Sequence, residues 1–172
     1  MDLDTLMAMF GAVQILFAFA FGACVGSLTN VLVYRLPAGL SVVSPPSRCP
    51  RCGTRLTWRE NIPVVGWVFL RGRCRFCSSA IPVRYPAVEA FVGVMFVAFY
   101  VAWYMLTPQS TVLGMPVGRI APEWAFNGFQ QTWPSFIVLL VLMSCLVAMT
   151  LVDMDTMTIP LELAWAPAIA AL

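Results

Sequence analysis

The chain has 172 residues, of which 60% are hydrophobic and only 10% are charged, with a net charge of +2. Soluble domains carry about 25% charged residues, so the composition excludes an ordinary soluble protein and predicts an integral membrane protein of about three or four spans. The chain has no histidine and no lysine. This excludes Ser–His, Cys–His and Ser–Lys catalytic groups, so a hydrolase of this composition would depend on carboxylates.

The first predicted element is a transmembrane helix within residues 1–36. Asp2 and Asp4 precede its apolar run, which argues against a signal peptide because such peptides begin with a positive region. These acids suit an external N-terminus. Arginines are the only basic residues, and all but one lie between Arg35 and Arg84. Because basic loops remain cytoplasmic, we predict that this segment faces the cytosol.

Residues 37–85 form the only strongly polar stretch, rich in Pro, Gly, Arg and Cys. We expect a compact, loop-rich domain with short strands such as Leu56–Trp58. A domain of this size rarely builds a sufficient core and usually needs a metal or disulfides. Its four cysteines form two C-x-x-C pairs: Cys49, Cys52, Cys74 and Cys77.

This cysteine spacing is typical of a structural zinc site, in which four thiolates surround one ion. We expect the neighbouring arginines to favour the thiolate form. A pair of disulfides and a thiol-redox centre remain as alternatives, although disulfides rarely persist in the cytosol. A catalytic zinc is less consistent with the pattern, because four cysteines fill the coordination shell.

A second transmembrane helix is predicted over residues 86–106. Glu89 would lie in its first turn, where a carboxylate complements the helix dipole. Residues 107–133 are predicted to form an external loop, with Trp124 and Trp133 suited to an aromatic belt at the membrane interface.

The third predicted transmembrane helix covers residues 134–155 and returns to the cytosolic side. Residues 156–172 would form a turn and the start of a fourth, truncated span. Asp153 ends the apolar run and is the candidate catalytic carboxylate, although an acid there could simply mark the membrane boundary. Asp155 lies two positions away and so points elsewhere on a helix. A catalytic pair would therefore need an acid from another segment.

Several motifs occur together in one order and carry a family resemblance. They are Gly26-Ser27-Leu28-Thr29-Asn30-Val31, Arg35-Leu36-Pro37, Cys49-Pro50-Arg51-Cys52-Gly53, Glu60-Asn61-Ile62-Pro63, Arg71-Gly72-Arg73-Cys74-Arg75-Phe76-Cys77, Ile81-Pro82-Val83-Arg84-Tyr85-Pro86 and Leu151–Pro160. In this order and spacing the chain resembles the bacterial type IV prepilin peptidases.

The resemblance implies an all-α polytopic membrane protein with a small zinc-ribbon-like cytosolic insertion. It implies an aspartic endopeptidase of the bacterial inner membrane that removes leader peptides from prepilins or pseudopilins. It also implies N-methylation of the new terminus with S-adenosylmethionine, in association with the zinc-bearing cysteine domain. The first catalytic aspartate of the family corresponds to Asp153, and Asp155 would have a supporting role at most.

The chain departs from the family at two points. Leu161 follows Pro160, where the family commonly has an aspartate or asparagine. The later G-x-G-D motif, which carries the second catalytic aspartate, is not in this sequence. A second chain or a missing C-terminal half would have to supply that acid.

Two other functions remain open at this point. The chain could be a non-catalytic membrane zinc adaptor of a pilus or secretion system, or a methyltransferase-only half. Under each hypothesis membrane lipid surrounds the protein, and no nucleic-acid partner is expected. The residues that would bind S-adenosylmethionine are not predicted by any glycine-rich loop in the sequence.

Overall fold

The computed structural model describes residues 2–106, 109–112, 114–116, 127–158 and 160–170. Within these ranges the chain is mostly helical, as predicted. Arg119 and Trp124, expected in the external loop, lie outside the described residues. The elements in chain order are α1 (Leu3–Arg35), α2 (Val65–Phe69), α3 (Arg84–Tyr100) continued by a π-helical turn (Val101–Met105), β1 (Thr111–Val112), β2 (Met115–Pro116), α4 (Phe129–Thr156) and α5 (Leu161–Ala170).

Three helices of the described chain are long and apolar enough to cross a membrane, which confirms the membrane-protein class. They cover Leu3–Arg35, Arg84–Met105 and Gln130–Thr156. At 1.5 Å per residue, the first is about 50 Å long, which exceeds a hydrocarbon core of about 30 Å. Its ends therefore extend beyond the core. Asp2 begins it as the N-cap and accepts a hydrogen bond from the Thr5 N–H at 3.1 Å.

Glycines allow α1 and α3 to approach closely. A Cβ atom added at Gly26 would lie 2.7 Å from the Cα of Glu89, and one added at Gly22 would lie 2.7 Å from the Cβ of Phe96. Lipid supplies no hydrophobic force between helices, so van der Waals contact across small residues is a main source of helix association in membranes. Gly22 and Gly26 therefore allow the close contact that holds the two spans together.

We expect Gly26→Ala to lower the melting temperature of the detergent-solubilised protein by several degrees. The added methyl meets backbone, which cannot move without separating the helices, and overpacking of this kind costs about 1–3 kcal/mol. Gly11→Ala is the matched control on the same helix, because its Cβ would meet only the flexible end of Met105 at 3.3 Å. Equal melting temperatures for the two variants would contradict this account.

The main apolar core lies where α1, α3 and α4 meet. Val92 and Phe96 of α3 are buried there, and Val25 of α1 and Val147 of α4 pack against them. A second cluster joins the π-helical turn to α4 through Trp103 and Phe136. This packing fixes α4 beside α3 and so positions the end of α4.

Helix α4 begins earlier than the sequence analysis places it. It starts at Phe129, so that Trp133 is helical and Pro134 lies within the helix. Pro134 removes only one hydrogen bond near the start, and the Thr132 hydroxyl donates to the Gly128 carbonyl at 2.8 Å, which stabilises this turn. The helix ends at Thr156, where Met157 adopts a left-handed conformation and donates its N–H to the Asp153 carbonyl at 2.9 Å.

The prediction of a strand at Leu56–Trp58 is wrong. These residues lie in a turn-rich region, and the nearest pairing is a single bridge between Arg48 and Arg55. The Leu56 N–H donates to the Ser47 carbonyl at 2.9 Å, beyond which the chain turns away. The turn that begins at Trp58 ends the pairing, so no strand extends through these residues.

Candidate functional site

The first cysteine pair lies on a tight backbone turn. The Cys49 N–H donates to the Thr54 carbonyl, and the Gly53 N–H donates back to the Cys49 carbonyl, both at 2.9 Å. Gly53 has a φ of +71°, which glycine adopts without steric cost. The turn brings the Cys49 and Cys52 thiols to the same side of the chain.

The second cysteine pair repeats this geometry. The Cys74 N–H donates to the Ser79 carbonyl at 2.8 Å, and the Ser78 N–H donates to the Cys74 carbonyl at 2.9 Å. Ser78 has a φ of +56° and occupies the place of Gly53. A bridge between Arg73 and Ala80 closes the turn, as Arg48 and Arg55 close the first. The segment is therefore built from two matching turns that face each other.

The four sulfur atoms converge on one point. The sulfurs of Cys49, Cys52, Cys74 and Cys77 all lie within 4.8 Å of one another. Cys49 Sγ lies 3.8 Å from Cys77 Sγ, and Cys52 Sγ lies 4.0 Å from Cys74 Sγ. Zn–S bonds of about 2.3 Å in a tetrahedron separate neighbouring sulfurs by about 3.8 Å. The cluster therefore fits a tetrahedral metal ion, and its cysteines are not joined by disulfides.

The backbone, rather than the arginine side chains, prepares the first thiol for a metal. The N–H groups of Cys52 and Arg51 point at Cys49 Sγ and lower the pKa of this thiol to about 6. The N–H groups of Cys77 and Phe76 also point at Cys74 Sγ and favour its thiolate, but burial and the neighbouring Cys49 and Cys77 thiols outweigh them and raise the pKa of Cys74. Such N–H groups stabilise negative charge on a sulfur, which is the form that binds a metal.

Arg35 organises the start of the polar segment. Its guanidinium donates to the carbonyls of Ser41 and Val42 at 2.9 Å and of Pro45 at 2.7 Å. Three carbonyls around one planar donor group fix the chain as it leaves α1.

Glu89 fixes the other side of the polar segment. It accepts a hydrogen bond from the Val64 N–H at 2.7 Å, and the Ser27 hydroxyl of α1 also hydrogen-bonds to it. Val64 has a φ of +60°, which is rare for a β-branched residue, so this bond holds a strained backbone. The prediction that Glu89 lies in the first turn of its helix is wrong, because α3 already begins at Arg84.

We expect Glu89→Leu to make the polar segment about ten-fold more sensitive to limited proteolysis. The variant leaves the Val64 N–H without its acceptor, and a hydrogen bond to a charged group contributes about 1.5–3 kcal/mol. Glu89→Gln keeps an acceptor oxygen and is the matched control, with a smaller increase. Equal cleavage of the two variants between residues 37 and 83 would contradict this role of Glu89.

Asp153 and Asp155 have different surroundings at the end of α4. Asp155 forms a two-bond ion pair with Arg84, with distances of 2.9 Å and 2.7 Å. Asp153 is exposed and has no side-chain hydrogen bond or ion pair within the described ranges. Arg84 begins α3 directly after the cysteine segment, so the ion pair places the end of α4 on the same side of the bundle as the cysteines.

Comparison with known sequences finds one matching family model. The profile of the Bacterial Peptidase A24 N-terminal domain matches residues 20–103, which include α1 from its middle, the cysteine segment and α3. This part of the chain, just under half of it, is therefore similar to the A24 N-terminal domain. No solved structure matches it.

Several curated relatives of the chain are named prepilin leader peptidase/N-methyltransferase. The relative from Myxococcus xanthus (strain DK1622) is 50% identical over 95 residues, which cover 55% of this chain and 28% of the relative. The relative from Klebsiella pneumoniae is 39% identical over 104 residues, covering 57% and 44%. The relative from Pseudomonas putida is 36% identical over 162 residues, covering 81% and 56%. The chain thus spans about half the length, or less, of these relatives.

The sequence analysis missed three contacts between distant parts of the chain. It did not anticipate the Arg84–Asp155 ion pair, the bond from Val64 to Glu89, or the bond from Asn30 Nδ2 to the Tyr85 carbonyl at 3.1 Å. Both Asn30 and Glu89 are polar residues inside apolar helices, and such residues usually mark a specific partner. That signal could have identified the two residues, though not what they bind.

Proposed function

We propose that the complete protein is a membrane aspartic endopeptidase that removes leader peptides from prepilins or pseudopilins, with Asp153 as one catalytic carboxylate. We further propose that it N-methylates the new terminus. The names of the relatives support the reaction class. The observation that carries the proposal is the exposed Asp153 at the end of a candidate span, on the same side as the cysteine cluster.

This position suits the substrate. A prepilin has a polar basic leader followed by an apolar helix, so its scissile bond lies at the membrane–water boundary. The concentration of arginines between Arg35 and Arg84 supports a cytosolic location for this boundary and an external N-terminus. The protein would then reside in the bacterial inner membrane as a multi-pass protein.

The proposed chemistry is direct attack of water on the scissile amide. One carboxylate accepts a proton from the water while a second, protonated carboxyl donates to the carbonyl oxygen or the leaving amine. Asp153 supplies one of these groups. Asp155 is paired with Arg84, and we propose that the other carboxyl comes from a missing C-terminal half or from a second chain, as the family resemblance implies.

The cysteine cluster would hold a structural zinc ion through Cys49, Cys52, Cys74 and Cys77. With all four positions filled by thiolates, the ion organises the fold and takes no part in hydrolysis. S-adenosylmethionine would supply an electrophilic methyl group to the pilin amine, which loses a proton to water as the carbon–sulfur bond breaks.

The test is expression of the complete protein with a prepilin in a cell that lacks its own prepilin peptidase. We expect mass spectrometry to show pilin shortened by its leader and methylated at the new terminus. Unprocessed prepilin would favour the adaptor hypothesis, and methylation confined to pre-cleaved pilin would favour the methyltransferase-only hypothesis. Either result would contradict the proposal.

A further inference from the structure

Helix α2 is an entirely apolar helix within the polar segment. It consists of Val65–Phe69 and lies in an uncharged stretch between Glu60 and Arg71. Two of its residues face the rest of the segment. A Cβ atom added at Gly66 would lie 2.5 Å from the carbonyl oxygen of Glu60, and Trp67 Nε1 donates to the Ile81 carbonyl at 3.0 Å. These contacts determine which side of α2 points away from the segment.

The side that points away is apolar and exposed. Val65, Val68 and Phe69 are spaced i, i+3 and i+4, so they share one face of the helix. Their exposed fractions are 43%, 60% and 83%. We call these three residues the outer face of α2. A helix that is apolar on every side is normally buried in a protein or in a membrane, so the outer face calls for an apolar environment.

The contacts of α3 place α2 at the membrane boundary. The candidate span Arg84–Met105 is about 33 Å long, close to a hydrocarbon core of about 30 Å, so Arg84 lies at one edge of the core. Glu89 is about 7.5 Å further along the helix. It accepts the Val64 N–H at 2.7 Å, and Val64 directly precedes α2. Helix α2 therefore begins on the membrane side of Arg84.

The charge of the surrounding segment suits a lipid surface. Residues 37–83 contain one acid, Glu60, and seven arginines. Arg71 and Arg73 follow α2 closely and are exposed. Basic residues beside an apolar stretch bind anionic lipid headgroups. Helices that lie in the interface bury their apolar face about 5–10 Å into the boundary between headgroups and acyl chains, which matches the depth of Glu89.

We propose that the outer face of α2 is embedded in the membrane leaflet next to the polar segment, where the arginines that follow it contact anionic phospholipid headgroups. Helix α2 lies at the interface and does not cross the bilayer. Lipid thus holds the middle of the polar segment, in addition to the contacts at its ends. The inference goes beyond the proposed function and does not depend on it, because no catalytic residue takes part.

The test measures contact between α2 and lipid in the complete protein. The protein is placed in vesicles of phosphatidylethanolamine and phosphatidylglycerol that contain a phospholipid with a photoreactive diazirine in the upper part of one acyl chain. Trypsin cleaves after Arg59 and Arg71, so α2 is recovered within the single peptide Glu60–Arg71. We expect mass spectrometry to find this peptide labelled at least about ten-fold more than the peptide Leu36–Arg48, because only α2 reaches the acyl chains.

The peptide Leu36–Arg48 is an internal control of comparable exposure. It contains Val43, which is 90% exposed. Arg35 holds the neighbouring Val42 carbonyl at 2.9 Å and lies about 13.5 Å along α1 from Gly26, which is level with Glu89. This distance places the control peptide outside the hydrocarbon core.

Phe69→Glu tests the outer face directly. We expect the labelled fraction of the α2 peptide to fall at least about five-fold, because a charge disfavours burial of this face in lipid. Val43→Glu is the matched variant: it adds the same charge at an exposed site outside the core and should leave that labelling unchanged. Phe69 is largely exposed, so its replacement should not alter internal packing, and melting temperatures in detergent check this.

Two results would overturn the proposal. In the first, the wild-type α2 peptide is labelled no more than Leu36–Arg48, while hydroxyl radicals generated in water oxidise it. The outer face would then be open to water and free for a protein partner. In the second, wild type and Phe69→Glu are labelled equally, so that lipid contact does not depend on this face. The first comparison needs no variant and therefore decides the matter even if Phe69→Glu fails to fold.

Discussion

Replacing Asp153 with asparagine in the complete protein should reduce leader cleavage about 100-fold to 10,000-fold. General acid–base groups contribute acceleration of this order, and an amide cannot exchange the proton. The side chain is exposed and makes no ion pair among the described residues, so the loss reflects chemistry rather than unfolding. Zinc content should be unchanged, because the cysteines lie on a separate segment. A prepilin cleavage assay with purified protein measures the effect.

Asp155→Asn is the matched control for this prediction. It removes a charge two residues away on the same helix and weakens the ion pair with Arg84. The pair is partly exposed, with side-chain exposures of 46% for Arg84 and 38% for Asp155. Exposed pairs contribute only about 0–1 kcal/mol, so most cleavage activity should remain. If Asp155→Asn abolished cleavage and Asp153→Asn did not, the catalytic assignment would be wrong.

Removing the metal should unfold the cysteine segment while leaving the apolar helices folded. We expect the wild-type protein to bind one zinc ion, and Cys52→Ser to lose most of it. Structural zinc contributes about 10–16 kcal/mol of apparent folding free energy in small domains. The segment between α1 and α3 has few buried apolar side chains to replace that contribution. Helices α1, α3 and α4 should persist, because their packing is apolar.

Metal analysis and limited proteolysis distinguish the expected result from its alternatives. Cys52→Ser or a strong chelator should expose residues 37–83 to protease. Cys24→Ser is the control, because Cys24 lies on the exposed side of α1 and outside the cluster. A protein without zinc, in which thiol titration shows that the four cysteines are oxidised in pairs, would support the disulfide alternative instead.

The sequence predicted the cysteine cluster and the candidate spans, because each depends on a pattern within a short stretch of chain. Two C-x-x-C pairs imply two turns that each present two sulfurs, and convergence of all four on one ion follows from the chemistry of the ligands. Apolar runs of sufficient length likewise predicted the three candidate spans. In both cases a short stretch of chain already determines the structure.

Contacts between distant segments could not be predicted in this way. Arg84 and Asp155 are 71 positions apart, and Val64 and Glu89 are 25 positions apart. Each pair depends on how helices pack, which the sequence of one helix does not contain. Glu60 illustrates the same limit, since its motif contributed to the family resemblance but did not indicate that one carboxylate oxygen would be buried without a hydrogen-bond donor among the described residues.

The polar segment is attached to the bundle by Arg35 on one side and Glu89 on the other, and the cysteine cluster links its two halves. Both ends of the segment are therefore held at the helix bundle independently of the cysteines. Loss of the cluster would free the middle of the segment first, while its entry and exit stay attached.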